Sequence, residues 1–336
     1  MSRKKKIAVF GVKGLPGFGG ASRANESIVD QLKEKYDYTV YAIDTHTEMR
    51  GEYNGYYQKV FKGYKGKRMN TLMYYLKSLF HALFFGKYDL VQVNHTSSGF
   101  IVPFLRIRFK VVSTIRGVIP KDDNKWTKLD KIFFKVSSYL FIKFSNSIVS
   151  VCKPHIEIFS EYTNKKIHYI PNGIIINKEK EISKNKNQGP ILFAAGRIIS
   201  LKGAHTLVKA LNILEYEEKT IFIGSTEHTP KYIKELKLDG KNRDIEFIGL
   251  IKEKKKLFEH IVNSKLFVFP SFNEGMSNML LEVAHLKTPL ICSDIIENKA
   301  IFNDDEVLFF KTGDAKDLAS KIEWANSNYS LMLKKS

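Results

Sequence analysis

Cysteine is scarce in this 336-residue chain: only Cys152 and Cys292 occur. Both sit in apolar, strand-like surroundings and lack the spacing of a metal site, which excludes a disulfide-stapled secreted scaffold and fits a reduced compartment. No apolar run approaches the roughly 20 residues needed to span a bilayer. The first residues, Met1-Ser2-Arg3-Lys4-Lys5-Lys6, lead directly into a short strand without the apolar stretch and cleavage site of a signal peptide. These absences lead to the expectation of a cytoplasmic protein. A P-loop is missing, because Lys13-Gly14 does not make one. The dinucleotide form of G-x-G-x-x-G is missing too, because Gly17-Phe18-Gly19-Gly20 lacks that spacing.

Positive charge is abundant. The composition is otherwise ordinary for a globular protein, with 43% apolar and 26% charged residues, but the net charge is +19. Residues 1–172 hold 29 Lys and Arg against 13 Asp and Glu, whereas residues 173–336 hold 25 against 22. Such a balance suits nucleic acid, an anionic membrane or an anionic substrate, and its placement assigns the polyanion to the first half. The length allows two domains, each with its own core.

Short apolar runs alternate with helical patterns along the whole chain. Strands are expected at residues 7–10, 40–43, 90–93, 111–115 and 148–151, with helices at 22–35, 70–85 and 128–145. The pattern breaks around Ile170-Pro171-Asn172-Gly173 and a polar stretch, 177–189, reads as the linker. Strands then recur at 191–195, 220–223, 245–248, 266–269, 290–293 and 307–310, separated by helices at 204–214, 232–238, 254–263, about 277–286 and 315–326. Alternation of this kind predicts an α/β protein with two parallel, Rossmann-like sheets and a domain boundary at 172/173. Ligands of open α/β sheets sit outside the C-terminal strand ends, here in a central cleft between the two domains.

Candidate chemistry clusters at those strand ends. Glu274 falls in a Pro/Ser/Asn/Gly turn after the strand 266–269, and Glu282 falls eight residues later on the following helix. Two carboxylates so placed can accept hydrogen bonds from hydroxyls of one polyhydroxy ligand, and the helix start between them offers free N–H groups to an anion. A nucleotide sugar has both features. The alternative is a loop glutamate plus a solvated helix glutamate. Arg197 ends the strand 191–195 and Lys202 precedes the next helix, a pair suited to a diphosphate or simply two solvated loop cations. The loop Gly14 to Gly20 lets a ligand approach the backbone, or forms a tight turn.

Four marks in this order, the Gly19-Gly20 loop, Ile170-Pro171-Asn172-Gly173, Gly196-Arg197 with Lys202-Gly203, and Glu274 to Glu282, resemble the retaining glycosyltransferases of family 4, including those of bacterial polysaccharide biosynthesis. The resemblance covers about residues 5–325. It implies the GT-B architecture, with an acceptor domain at 1–172 and a donor domain at 173–336. It also implies transfer from a nucleoside-diphosphate sugar, UDP-linked, to a lipid-linked or oligosaccharide acceptor. Glu282 would bind the donor ribose, Arg197 and Lys202 its diphosphate, and the Gly19 and Gly20 amides its phosphate from the other domain. Glu274 with Gly275, Met276, Ser277 and Asn278 would address the transferred sugar, and Ile248-Gly249-Leu250 would line the base. Fixed cations on the departing diphosphate stabilise developing charge, and closing two domains would exclude water. No cofactor and no divalent metal is expected, since Asp122-Asp123 and Asp304-Asp305 do not stand where a DxD-like motif would.

His95 follows the strand 90–93 at a place where the family often has a histidine near the sugar. Arg116 departs from the family, many of whose members carry His before that glycine. It would meet an anionic acceptor or form a structural ion pair. Ala21-Ser22-Arg23 departs too. Family members commonly continue through a helix that crosses back onto the first domain, and Leu331 to Lys335 is too short for that.

Residues 59–87 interleave lysines with aromatics, and 72, 73, 76, 79, 80, 83 and 84 form an apolar helical stripe. Such a segment can lie on an anionic bilayer, giving a peripheral location at the inner face of the cell membrane, or can face the core with solvated lysines. Nucleic acid is not expected as a partner, because no nucleic-acid module is present. A UDP-sugar hydrolase or epimerase of the same fold, and a non-catalytic nucleotide or nucleic-acid binder, stay as alternatives. A phosphorylase would show a lysine anchoring pyridoxal phosphate, and no such motif is evident.

Overall fold

The computed structural model describes residues 3–17, 19–118, 127–174, 189–227 and 229–335. Asp122-Asp123 and most of the polar stretch at 177–189 lie outside them. The chain forms two compact units, Met1–Asn172 and Gly173–Ser336.

Unit 1 contains β1 Lys5–Lys13, α1 Gly20–Leu32, β2 Tyr36–Ile43, β3 Gly51–Tyr53, β4 Tyr56–Phe61, α2 Lys67–Phe85, β5 Leu90–Asn94, α3 Val102–Arg108, β6 Lys110–Ile115, α4 Lys128–Phe144, β7 Ser147–Ser150, α5 Lys153–Ser160 and β8 Ile167–Tyr169. Its sheet runs β3-β4-β2-β1-β5-β6-β7-β8. All pairings are parallel except β3 with β4. Val9, Phe10, Val91 and Val111 are fully buried, as expected of parallel strands covered on both faces.

Unit 2 contains β9 Ile191–Arg197, α6 Ala204–Ile213, β10 Thr220–Ser225, α7 Pro230–Asp239, β11 Ile245–Gly249, α8 Lys254–Val262, β12 Leu266–Phe269, α9 Asn278–His285, β13 Leu290–Ser293, α10 Ile296–Lys299, β14 Leu308–Phe310, α11 Ala315–Ser327 and α12 Tyr329–Lys335. Its sheet, β11-β10-β9-β12-β13-β14, is parallel throughout. One core packs β9 and β10 against α6 and α11, and a second lies on the other face with Phe267, Phe269, Leu280 and Val283.

Several elements differ from the sequence expectation. The β3–β4 hairpin was not anticipated, although Asn54 and Gly55 at its turn have φ of 48° and 81°, the two-residue geometry that matches strand twist. The helices α3, α5, α10 and α12 and the short β8 are additional. The first helix runs from Gly20 to Leu32 rather than 22–35, and β2 starts at Tyr36.

For the α2 stripe, where sequence left a core-facing and a surface-facing reading open, the structure turns most of it outward. Tyr74, Tyr75, Ser78 and Ala82 are the buried side, whereas Leu72, Leu76, Phe80 and Phe84 are exposed. Tyr74 explains the rotation: its hydroxyl donates to the Tyr41 carbonyl at 2.9 Å and accepts from the Gly11 N–H at 3.1 Å. A buried tyrosine whose oxygen is satisfied wins over an aliphatic face.

Candidate active site

The parallel strands of each sheet reverse their order once. In unit 2 the reversal lies between β9 and β12, and in unit 1 between β1 and β5. Loops leaving adjacent strand tips in opposite directions open a crevice there.

At the unit 2 reversal, Gly203 has φ of 73°, and a Cβ on it would stand 1.7 Å from the Pro270 carbonyl oxygen. Only glycine lets the β9 loop lie this close to the β12 loop. The Leu201 carbonyl then accepts from the Phe272 N–H at 2.9 Å and stands 3.2 Å from the Ser271 hydroxyl. This junction brings together two residues that the sequence separates by 72 positions: Lys202 Nζ donates to Glu274 Oε1 at 2.5 Å. Ser271 Oγ donates to the same oxygen at 2.6 Å. Ser293 Oγ, itself held by Asn298, donates to the Ser271 carbonyl at 2.5 Å. The Glu274 side chain is only 9% exposed, so its position is fixed by these donors.

Glu282 lies on α9 as expected, and its side chain is buried, 4% exposed. Lys254, the first residue of α8, reaches it at 3.3 Å. Ser277 stands at the N-cap position of α9 without a side-chain capping hydrogen bond, and the buried Oδ1 of Asn278 after it has no hydrogen-bond partner among the described residues. Gly275 and Met276 lie half-buried in the loop before it. Leu250 is half-buried just past β11, and Arg197 ends β9 with its side chain exposed. Beyond Lys202, His205 stacks on Phe272 with centroids 5.5 Å apart and meets the Tyr232 hydroxyl at 2.9 Å. Burial lowers the His205 pKa.

At the unit 1 reversal, a Cβ on Gly11, whose φ is 89°, would stand 1.9 Å from the Asn94 carbonyl oxygen. His95 follows, exposed, with a φ of 105° that is costly for any residue with a Cβ. Its carbonyl accepts from Ser98 Oγ at 2.6 Å. Buried Asn94 accepts through Oδ1 from Asn25 Nδ2 at 3.1 Å and from Arg116 Nε at 3.0 Å. Arg116 Nη1 donates to Asn172 Oδ1 at 3.2 Å. Among the described residues no carboxylate pairs with Arg116. Desolvation lowers its pKa to about 10, which leaves it cationic at neutral pH. Gly19 caps α1 and Gly20 opens it, and a Cβ on either would meet nothing within 4 Å. Packing within the protein therefore does not demand glycine at either position.

The structure thus places Glu274 with Lys202 and puts Glu282, Leu250, Arg197 and residues 275–278 on the same unit. Gly19, Gly20, His95 and Arg116 lie in unit 1. Sequence reasoning missed Ser271, Lys254 and the amides around Arg116. Ser271 directly follows the Pro that ends β12, a readable sign. Lys254 stands in Lys252-Glu253-Lys254-Lys255-Lys256, where no lysine is distinguishable from a solvated one. No cluster of three or more His, Cys, Asp or Glu suited to a metal occurs among the described residues.

The profile of the group 1 glycosyl transferases matches residues 175–335, and that of glycosyltransferase family 4 matches residues 18–178. The chain belongs to glycosyltransferase family 4. The capsular polysaccharide biosynthesis glycosyltransferase CapM of Staphylococcus aureus is 29% identical over 149 residues, covering 43% of this chain and 39% of CapM. The N,N'-diacetylbacillosaminyl-diphospho-undecaprenol alpha-1,3-N-acetylgalactosaminyltransferase of Campylobacter jejuni is 26% identical over 160 residues, covering 46% of this chain and 40% of that protein. The chain thus matches about two fifths of the length of these two relatives. Anabaena HepE, solved with UDP and glucose, superposes with a TM-score of 0.76 at 15% identity, covering 98% of this chain and 92% of HepE. The fold is GT-B.

Proposed function

We propose that this family 4 member transfers a sugar, with retention of anomeric configuration, from a UDP-linked donor to a hydroxyl of a lipid-linked or oligosaccharide acceptor. The reaction would serve bacterial surface polysaccharide biosynthesis at the inner face of the membrane. The observation that carries this reading is the Lys202–Glu274–Ser271 cluster at the strand reversal of unit 2. The capsular polysaccharide relative CapM, the relative named for a diphospho-undecaprenol-linked acceptor and the UDP complex of HepE support the choice of substrates.

In this reading Glu282 receives the ribose hydroxyls. Lys254, on an exposed side chain, swings aside and the hydroxyls replace its ammonium as donors. Lys202 has three N–H donors, so it can keep Glu274 and still reach a phosphate oxygen. Arg197, exposed and free of ion pairs among the described residues, adds a planar fork of donors. Charge that develops on the departing diphosphate is met by groups already in place. Glu274, held by two donors, orients hydroxyls of the transferred sugar. Retention is read as attack from the face that the diphosphate leaves. In unit 1, Arg116 bears the cation for an anionic acceptor, such as a lipid diphosphate. The open N-terminus of α1 at Gly19-Gly20 offers amides to an anion.

Calorimetric titration with UDP-, GDP- and ADP-sugars tests the donor, and Glu274→Gln tests the site. Binding of the UDP-sugar is expected. Glu274→Gln should lower kcat by roughly a hundredfold while the UDP affinity holds. Wild-type turnover in that variant, or no nucleotide-sugar binding by the parent, would remove this reading.

A further inference from the structure

Among the described residues, 21 large apolar side chains left exposed lie in unit 1 and six in unit 2. Fourteen of those in unit 1 belong to α2, α3 and α4. On α2, Met69, Leu72, Leu76, Phe80 and Phe84 recur every three or four residues, so the solvent side of this helix is an apolar stripe. Phe84 is 65% exposed and Ile107 on α3 is 82% exposed. On α4, Leu129, Ile132, Phe133 and Val136 repeat the pattern. Exposed apolar residues scattered singly need no explanation, but three neighbouring helices that all turn them outward do.

The helices are tied to one another. Arg68 of α2 pairs with Asp130 of α4 at 2.6 Å, and Arg108 of α3 donates to the Leu83 carbonyl of α2. The charge around the stripes has one sign. The three helices hold nine Lys and Arg and a single acidic residue, Asp130, which is the one already paired. Lys128 and Lys135 flank the α4 stripe along one edge. Phe61, Leu76, Phe80, Leu83, Phe84 and Phe85 also line an open apolar hollow of about 680 Å³. Among the described residues no helix is long and apolar enough to cross a membrane.

From this we infer that the α2–α3–α4 face of unit 1 is a lipid-docking surface that inserts its apolar stripes into an anionic bilayer while its cations engage the headgroups. An apolar face rimmed by Lys and Arg lies in the interfacial plane, and its affinity combines buried area with attraction to anionic lipid. A protein partner fits less well, because lysine is depleted at such interfaces. The inference extends the membrane part of the proposed function, but it stands on unit 1 alone and does not need the donor site.

The test is co-sedimentation of the full chain with vesicles of phosphatidylcholine alone and of phosphatidylcholine with phosphatidylglycerol. The chain should bind the mixed vesicles at least about tenfold more tightly, and binding should fade with added salt. Phe80→Asp with Phe84→Asp, and separately Ile132→Asp with Val136→Asp, should each weaken binding by at least about tenfold. Ile213→Asp, an exposed position of unit 2, should leave it unchanged. Thermal melts and UDP titration establish that each variant is folded. Absence of vesicle binding by the parent, or equal binding by the folded aspartate variants, would overturn the inference. So would a dimer in sedimentation velocity that the aspartate variants dissolve, without vesicle binding, since a second copy would then be the occupant. Vesicle binding without UDP-sugar binding would retain this surface and remove the donor reading.

Discussion

Unit 1 and unit 2 each reverse the order of their parallel strands at one point, and the side chains gathered there differ in kind. In unit 2 the reversal holds paired opposite charges, Lys202 with Glu274, beside a second pair, Lys254 with Glu282. In unit 1 it holds a cation, Arg116, which donates to the amide oxygens of Asn94 and Asn172. The surfaces diverge likewise: unit 1 carries most of the net charge and most of the exposed apolar side chains. One architecture thus supports two recognition chemistries. A carboxylate beside a cation suits a ligand that brings both hydroxyls and phosphate. A partly desolvated cation without a carboxylate partner among the described residues suits an anion.

The largest effect that could break this comparison is in the backbone. Gly203→Ala would drive a Cβ against the Pro270 carbonyl and hold alanine at positive φ, and Gly11→Ala would do the same against Asn94. Each should cost about 3 kcal/mol, read as a lowered midpoint in chemical denaturation. If both reversals are built on close loop contact, Gly203→Ala should also weaken UDP binding, whereas Gly11→Ala should spare it. Equal loss of UDP binding in the two would erase the division of labour.

Next in size is the second carboxylate. Glu282→Ala should weaken UDP binding about tenfold. Lys254→Ala should strengthen it by roughly threefold, because the ribose no longer displaces a partner from a buried carboxylate. Weaker binding on loss of Lys254 would instead make that lysine a donor contact.

Acidification gives the smallest effect. Burial lowers the pKa of His205 in unit 2 and of His81 in unit 1. Below their ordinary value of about 6.5 the unfolded chain binds protons that the folded chain resists, so stability falls with pH. Melting temperatures measured from pH 7 to 5 should decline, and His205→Gln should flatten the decline. An unchanged slope in that variant would remove His205 as a contributor.

Much of the fold was legible because its signals are local. Short buried runs such as 191–195 and 266–269 are bounded by Gly, Pro and Asn, and helices begin at Thr127 and Asp314, which cap their first turns. The Asn54-Gly55 turn was equally local and was still missed, because the flanking strand β3 has only three residues. The outward turn of α2 was not legible. Its residues read as one apolar stripe, and only the Tyr74 hydroxyl, held between Gly11 and Tyr41, decides which side is buried.

The sequence by itself determined the alternation of strands and helices, the surplus of charge in residues 1–172, and the placement of Glu274 on a loop and Glu282 on a helix. Periodicity and turn chemistry act over a few residues, so they survive without the fold. The tertiary structure decided that Lys202 meets Glu274 across 72 positions, that Lys254 covers Glu282, and that Arg116 meets the amide oxygens of Asn94 and Asn172. Those outcomes depend on which strands become neighbours and how closely their loops approach. Strand order places β9 beside β12, and the missing Cβ of Gly203 lets their loops touch.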